Sequence, residues 1–91
     1  MSYCEKIREM IKQGWLLIDV REPQEFAGSH IKDAANIPLR DDVTALEPDN
    51  RYMLYCRSGA RSGSAANYLN QQGIEAVNIG GIFQYADCVE M

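Results

Sequence analysis

The stretch that most limits how this chain can fold is Tyr52-Met53-Leu54-Tyr55-Cys56-Arg57-Ser58-Gly59-Ala60-Arg61-Ser62. Its apolar run reads as a buried strand, and the run stops at a cysteine. A loop of small and cationic residues follows, and Gly63-Ser64-Ala65-Ala66-Asn67-Tyr68-Leu69 then takes up a helical pattern with small residues on one side. Strand end, tight loop and helix start therefore converge on one sulfur. Because Ser58, Gly59 and Ala60 are small and Gly59 tolerates unusual backbone angles, the N–H groups of Arg57 to Arg61 can turn inward around Cys56.

Such a ring changes the chemistry of a thiol. A free cysteine has a pKa of about 8.5, and a helix N-terminus with neighbouring arginines lowers it by roughly one to several units. A shift of about two units corresponds to about 2.7 kcal/mol in favour of the thiolate. A helix N-terminus supplies about 0.3–2 kcal/mol, and hydrogen bonds to a charged group supply about 1.5–3 kcal/mol. Together these suffice without a histidine base. The plainer alternative is an inert cysteine buried at a strand end. The coincidence of loop glycine, flanking arginines and helix start favours a reactive thiolate. That reading requires the main-chain hydrogens to face the sulfur and the thiol to be open to solvent.

The rest of the chain sets bounds on what such a thiol can serve. Ninety-one residues suit one small domain, expected to span residues 1–91, and 46% hydrophobic with 24% charged residues describes a globular chain. The net charge of -4 speaks against nucleic acid as a partner, since phosphate binding needs a basic face. No apolar stretch approaches the roughly 20 residues that span a bilayer, and Met1-Ser2-Tyr3-Cys4-Glu5-Lys6 lacks the apolar run of a secretory signal. A cytoplasmic setting without a membrane partner is expected, provided this is the full precursor. Three cysteines cannot all pair within one chain, and Cys4, Cys56 and Cys88 match no zinc spacing. Reduced thiols are expected, with Cys4 and Cys88 incidental.

In order, Ile7, Met10 and Ile11 recur at helical spacing, which predicts an amphipathic helix over Tyr3 to Gln13, capped by Ser2 and closed by Gly14. Trp15-Leu16-Leu17-Ile18 reads as a short buried strand with Asp19 at its C-terminal end. Ligands bind at that end of open parallel sheets, so Asp19 and Arg21 belong near the Cys56 loop. Pro23, with Glu22 and Glu25 in the first turn, predicts a short helix ending by Gly28, with Phe26 as its core anchor. Ala34-Ala35-Asn36-Ile37 reads as a strand broken by Pro38. A short helix is expected from Arg40 through Leu46, with Asp41 or Asp42 as cap, followed by a turn at Glu47-Pro48-Asp49-Asn50. Beyond the helix after Ser62, which Gly73 should cap, Ala76-Val77-Asn78-Ile79 is a further strand. Gly80-Gly81 then turns into a last segment carrying Ile82, Phe83 and Tyr85. Strands alternating with helices predict a mainly parallel sheet covered on both faces.

Cys56-Arg57-Ser58-Gly59-Ala60-Arg61-Ser62 resembles the active-site loop of the single-domain rhodaneses, a sulfurtransferase family. Asp19-Val20-Arg21-Glu22-Pro23-Gln24-Glu25-Phe26, His30-Ile31, Ala35-Asn36-Ile37-Pro38-Leu39 and Gly80-Gly81 follow the same family's pattern in the same order, so the resemblance covers Trp15 to Tyr85. It implies an α/β rhodanese-like three-layer domain, with a mainly parallel central sheet of about four or five strands flanked by helices on both faces. It also implies a catalytic cycle in which Cys56 takes sulfur from a small anionic donor such as thiosulfate. A persulfide forms, and the sulfur passes to a thiol, cyanide or another protein, with no metal or organic cofactor. Arg57, Ser58, Gly59, Ala60 and Arg61 would bind the substrate. Asp19 and Arg21 would organise the loop behind them, Arg61 pairing with a carboxylate such as Asp19. His30, the only histidine, matches a structural position in the family.

Two rivals remain at this point. A non-enzymatic sulfur carrier or redox-sensing module would use the same cysteine. Cysteine phosphatases and arsenate reductases use a loop one residue longer, which would put the arginine where Ser62 stands, so the tighter ring here suits a single sulfur atom. The chain also departs from the family pattern. Ser29 and Asp33 occupy places where glycine is common, and the usual tryptophan and final helix after Gly80-Gly81 are missing. A small monomer is expected, with the sheet edge near Gly80-Gly81 the place where self-association or a partner would add.

Overall fold

A computed structural model of the chain describes residues 2–38 and 46–90. The first helix, α1 (Tyr3–Lys12), opens on a reciprocal cap: the Ser2 hydroxyl accepts from the Glu5 N–H, and the Glu5 carboxylate accepts from the Ser2 N–H. Two donors that a helix start leaves open are thereby satisfied. Gly14, at φ 98°, makes the left-handed turn that sends the chain into β1 (Trp15–Asp19). The short helix α2 (Pro23–Gly28) starts on its proline, and β2 (His30–Ile31) and β3 (Ala35–Asn36) follow. Next come β4 (Arg51–Cys56), α3 (Ala60–Gln71) and β5 (Glu75–Gly81). A 3-10 helix (Ile82–Cys88), kinked at Tyr85, leads into β6 (Val89–Glu90).

Four strands form a parallel sheet in the order β3-β1-β4-β5, while β2 and β6 pair antiparallel beside it. The alternation of side chains along a strand divides the core in two. Tyr52, Leu54 and Cys56 of β4, with Ile18 and Val20, pack against Ala65, Ala66 and Leu69 of α3. Met53 and Tyr55, with Trp15 and Leu17, pack against Cys4 and Ile7 of α1 and against Tyr85. This explains the unbroken apolar run of β4, because a strand covered on both faces has no polar side. The three-layer arrangement follows, and among the described residues no helix is long and apolar enough to cross a membrane.

Three differences from the sequence-based expectation stand out. Gln72 caps α3, and Gly73, at φ 82°, makes the left-handed turn one residue further on. The segment after Gly80-Gly81 covers α1 as a 3-10 helix and returns along β2, so the missing family helix is replaced by a tighter one. Cys4 and Cys88 are joined in a disulfide, with Cα atoms 6.1 Å apart, and are not separate reduced thiols. The packing of α1 on the 3-10 helix brings together two residues 84 positions apart, which no local spacing reveals. The helix expected from Arg40 lies outside the described residues, apart from Leu46, which packs partly buried against the α3-side core.

Candidate active site

β4 delivers Cys56 to the C-terminal edge of the sheet, where Tyr55 stands opposite Asp19 of β1 and Cys56 opposite Gly81 of β5. An extra residue in β5 shifts the register between Leu54 and Tyr55, and such a bulge bends a strand. Gly80 and Gly81 are thereby turned over the Cys56 loop. A Cβ on Gly81 would collide with the Arg57 carbonyl oxygen. Gly59, the N-cap of α3, sits at φ 99°, in the region that glycine alone enters without strain, and a Cβ there would lie 3.3 Å from Gly80 Cα.

This loop and the first turn of α3 surround the sulfur. The Gly59 N–H lies 3.1 Å from Cys56 Sγ, the Ser62 N–H 3.4 Å and the Ser62 hydroxyl 3.3 Å. The ring is thus narrower than the expected span of Arg57 to Arg61, and the Ala60 N–H turns to the Ser58 hydroxyl instead. Ser62 lies beyond that span. Its signal was its place in the first helical turn, where N–H groups have no partner inside the helix. Burial pushes the Cys56 thiol up more than any other single influence. The Ser62 hydroxyl and the Ser62, Gly59 and Ser58 amides together outweigh it, and the net shift is downward.

Of the two conditions set by the sequence reading, the first is met and the second is not: the main-chain hydrogens face the sulfur, but Cys56 is 0% exposed, so the expectation of an open thiol is corrected to a covered one. The same close wrapping that supplies the donors covers the atom. Arg57 and Ser58 are exposed on the loop above it, as is Ala60, with Gly59 half-buried.

Two arginine-carboxylate pairs flank the loop, and they are not the pair expected. Arg61 donates to Glu25 of α2 through both terminal nitrogens, at 3.0 and 3.2 Å. This bond from Arg61 is the chief cause that holds the Glu25 carboxyl down to about 2. Asp19 is taken by Arg21, whose Nη2 and Nε lie 2.7 and 3.0 Å from its Oδ2, and which also donates to the Ser29 carbonyl at 2.6 Å. Arg21 is two residues along the chain and folds straight back, so it claims the buried carboxylate before Arg61 can. The Asp19-Arg21 unit braces the end of β1 against α2, with the guanidinium 5.8 Å above the Tyr55 ring centroid. Asn78 of β5 adds a contact that sequence reasoning missed. Its Oδ1 accepts from the Ser62 hydroxyl at 2.7 Å, and its Nδ2 donates to the Gly59 carbonyl at 2.9 Å. His30 stacks on Phe26 at 4.0 Å and bonds the Phe26 carbonyl through Nδ1, which braces the start of β2 against α2.

A family model described as Rhodanese-like domain matches residues 4–88. The chain belongs to this family. The fold of this rhodanese-like domain is similar to that of a rhodanese-related protein from Thermoplasma volcanium, with a TM-score of 0.80 and 34% identity over 92% of this chain and 87% of that one. A sulfurtransferase of Allochromatium vinosum is 42% identical over 76 residues, 78% of this chain and 71% of its own. The thiosulfate sulfurtransferase GlpE of Pseudomonas aeruginosa is 34% identical over 76 residues, 80% and 69% respectively. The chain spans 57%, 66% and 36% of the lengths of three further curated relatives. Within the rhodanese-like domain, the two departures around His30 have different consequences. Ser29 is extended, at φ -169°, which any residue adopts. Asp33 holds a left-handed turn at φ 72°, where glycine would be unstrained and aspartate is among the better-tolerated substitutes.

Proposed function

We propose that this rhodanese-like domain is a sulfurtransferase that carries sulfane sulfur on Cys56. Its thiolate attacks the outer sulfur of an anionic donor such as thiosulfate. A bond forms between Sγ and that sulfur, the bond within the donor breaks, and sulfite leaves with the electron pair. An acceptor nucleophile (cyanide, a thiol or a partner protein) then attacks the outer sulfur, and Cys56 departs as thiolate. Electrons balance without an external oxidant or reductant. The observation that carries this reading is the sulfur held 3.1 Å from the Gly59 N–H and 3.4 Å from the Ser62 N–H at the start of α3. Fixed dipoles aimed at a forming anion stabilise it with no reorganisation at the moment of reaction.

A sulfur with no exposed surface is reached only when the residues above it move. The exposed loop of Arg57 and Ser58 follows Cys56 directly in the chain, and its opening is part of the proposed cycle. Arg57 draws the anionic donor to that loop, and Arg61, steadied by Glu25, adds positive charge beside the sulfur. The relatives named for sulfurtransferase and thiosulfate sulfurtransferase activity support the same class of reaction. Mass spectrometry after exposure to thiosulfate tests it: Cys56 should gain one sulfur, and cyanide should remove it. Sulfur gained from a desulfurase but not from thiosulfate would instead support the carrier reading. A Cys56 that takes sulfur from neither overturns both.

A further inference from the structure

Asn78 stands on β5 at the bulge, exposed, with its amide bonded to the wall of the sulfur cradle. Its Oδ1 accepts from the Ser62 hydroxyl at 2.7 Å and from the Gly80 N–H at 3.0 Å, while its Nδ2 donates to the Gly59 carbonyl at 2.9 Å. The same Ser62 hydroxyl lies 3.3 Å from Cys56 Sγ. A serine hydroxyl has one hydrogen. It cannot donate to Asn78 and to sulfur at once.

The protonation state of Cys56 decides between the two acceptors. When Cys56 is a thiol, its S–H donates to Ser62 Oγ and the hydroxyl donates to Asn78, so each hydrogen has an acceptor. When Cys56 loses its proton to water, the sulfur has only lone pairs to offer. A hydrogen bond to an ion is roughly twice as strong as a neutral one, so the hydroxyl turns to the sulfur, and Asn78 Oδ1 keeps the Gly80 N–H alone. We propose that Asn78 is a positioning residue that holds the Ser62 hydroxyl hydrogen away from a resting thiol and yields it when Cys56 becomes an anion. Asn78 is a counterweight: the thiolate forms at the expense of one neutral hydrogen bond. The functional weight of this device rests on the sulfurtransferase reading, but the device itself is testable without any transfer.

Other charges near the sulfur do not confuse the test. Arg61 stays protonated, and Glu25 of α2, held to about 2, stays ionised against it. Asp19 at the end of β1 and Arg21 two residues beyond it lie beside Tyr55, whose side chain is on the opposite face of β4 from Cys56. The only charged residue of β5, Glu75, is at the far end of the strand opposite Arg51, and α3 carries none but Arg61.

The ultraviolet absorbance of the thiolate is titrated against pH in the wild type, Asn78→Ala, Ser62→Ala and the double variant. Each is referenced to the same protein carrying Cys56→Ser, which removes the tyrosine contribution. Cys4 and Cys88 are joined and do not titrate. Asn78→Ala is expected to lower the midpoint by up to about one pH unit, the equivalent of one neutral hydrogen bond. Ser62→Ala is expected to raise it, and adding Asn78→Ala to Ser62→Ala to change nothing further. A merely structural Asn78, acting through Gly59 or Gly80, would raise the midpoint, and its effect would survive in Ser62→Ala. Either result, or an unmoved midpoint in Asn78→Ala, overturns the proposal. Because Asn78 is exposed, its truncation leaves the core intact, and Asn78→Val replaces it in the same comparison if Asn78→Ala does not fold. A protein that shows these shifts yet takes up no sulfur keeps this proposal and loses the sulfurtransferase reading. A protein that takes up sulfur without these shifts does the reverse.

Discussion

Arg61 grips Glu25 with both terminal nitrogens, at 3.0 and 3.2 Å, and so ties the first turn of α3 to α2. Both side chains are about a third exposed, which limits a pair of this kind to about 1 kcal/mol or less. Its pH dependence has a definite sign. The Glu25 carboxyl is held at about 2, below its ordinary value of 4.5, so the stabilisation is complete above about pH 5 and is lost as pH falls through about 2. The difference in unfolding free energy between wild type and Glu25→Gln should therefore be positive at neutral pH and shrink steadily in acid. A difference that is flat down to pH 2, measured by denaturant unfolding, would mean that the pair is not formed in solution.

Cys56→Ser should reduce thiocyanate formation from thiosulfate and cyanide to background while leaving the fold in place. Serine is smaller by the difference between oxygen and sulfur, and its hydroxyl can accept from the Gly59 and Ser62 N–H groups that now face the sulfur. Its stability should stay within about 1 kcal/mol of wild type, because no cavity the size of a methyl group is opened. A serine hydroxyl stays protonated at neutral pH and is a weak nucleophile without an adjacent base. Circular dichroism checks the fold and the thiocyanate assay the chemistry. Retained turnover would remove Cys56 from the centre of the mechanism.

Much of this was legible from local pattern. Trp15 to Ile18 and Tyr52 to Tyr55 read as strands because each is a four-residue apolar run bounded by Gly or polar residues, and Ala76 to Ile79 reads as one because its apolar residues, interrupted only by Asn78, stand between Glu75 and Gly80. The loop after Cys56 was legible because Gly59 has few other reasons to stand between a strand and a helix. What escaped was long-range or very short. β2 and β6 have two residues each, too few to show any periodicity. Sequence alone leaves Asp19 open to Arg61, because it cannot show that Arg21 folds back onto that carboxylate. In the sequence Asn78 is one more strand residue, since its role depends on a bulge that only the pairing of β4 with β5 reveals. The burial of Cys56 was missed because the same short loop that permits inward N–H groups also permits an open or a closed ring.

Gly81→Ala should disturb the site and Gly28→Ala should not. A Cβ at Gly81 would collide with the backbone oxygen of Arg57, and a backbone atom cannot swing aside as a flexible side chain can. Relieving the clash moves the Cys56 loop, at a cost of about 1–3 kcal/mol. Sulfur loading should slow along with the loss of stability. At Gly28, in the last turn of α2, nothing lies within 4 Å of the new Cβ. Alanine there should be neutral or stabilising by up to about 1 kcal/mol, because glycine is the poorer helix former. Equal effects of the two substitutions on thermal unfolding and on sulfur loading would refute the contact between the Gly80-Gly81 turn and the loop.

Opening the Cys4–Cys88 disulfide should destabilise the fold without silencing Cys56. The bond closes a loop between residues 84 positions apart, for which chain entropy alone predicts about 4.6 kcal/mol, while measured values fall typically at about 2–4 kcal/mol. It fastens α1 to the end of the 3-10 helix, and Cys4 is itself buried beside Ile7 and Tyr85, so the reduced protein also loses a restraint on that packing layer. Cys56 belongs to the other layer, against α3. A reductant, or Cys4→Ser with Cys88→Ser, should therefore lower the urea midpoint by an amount equivalent to about 2–4 kcal/mol and leave the rate of sulfur loading on Cys56 near that of wild type at temperatures where both proteins are folded. Thiol titration of the denatured, unreduced protein checks the premise directly. It should find one reactive cysteine where the sequence holds three. Three reactive thiols, together with a urea midpoint indifferent to reductant, would show that α1 and the 3-10 helix are held by packing alone.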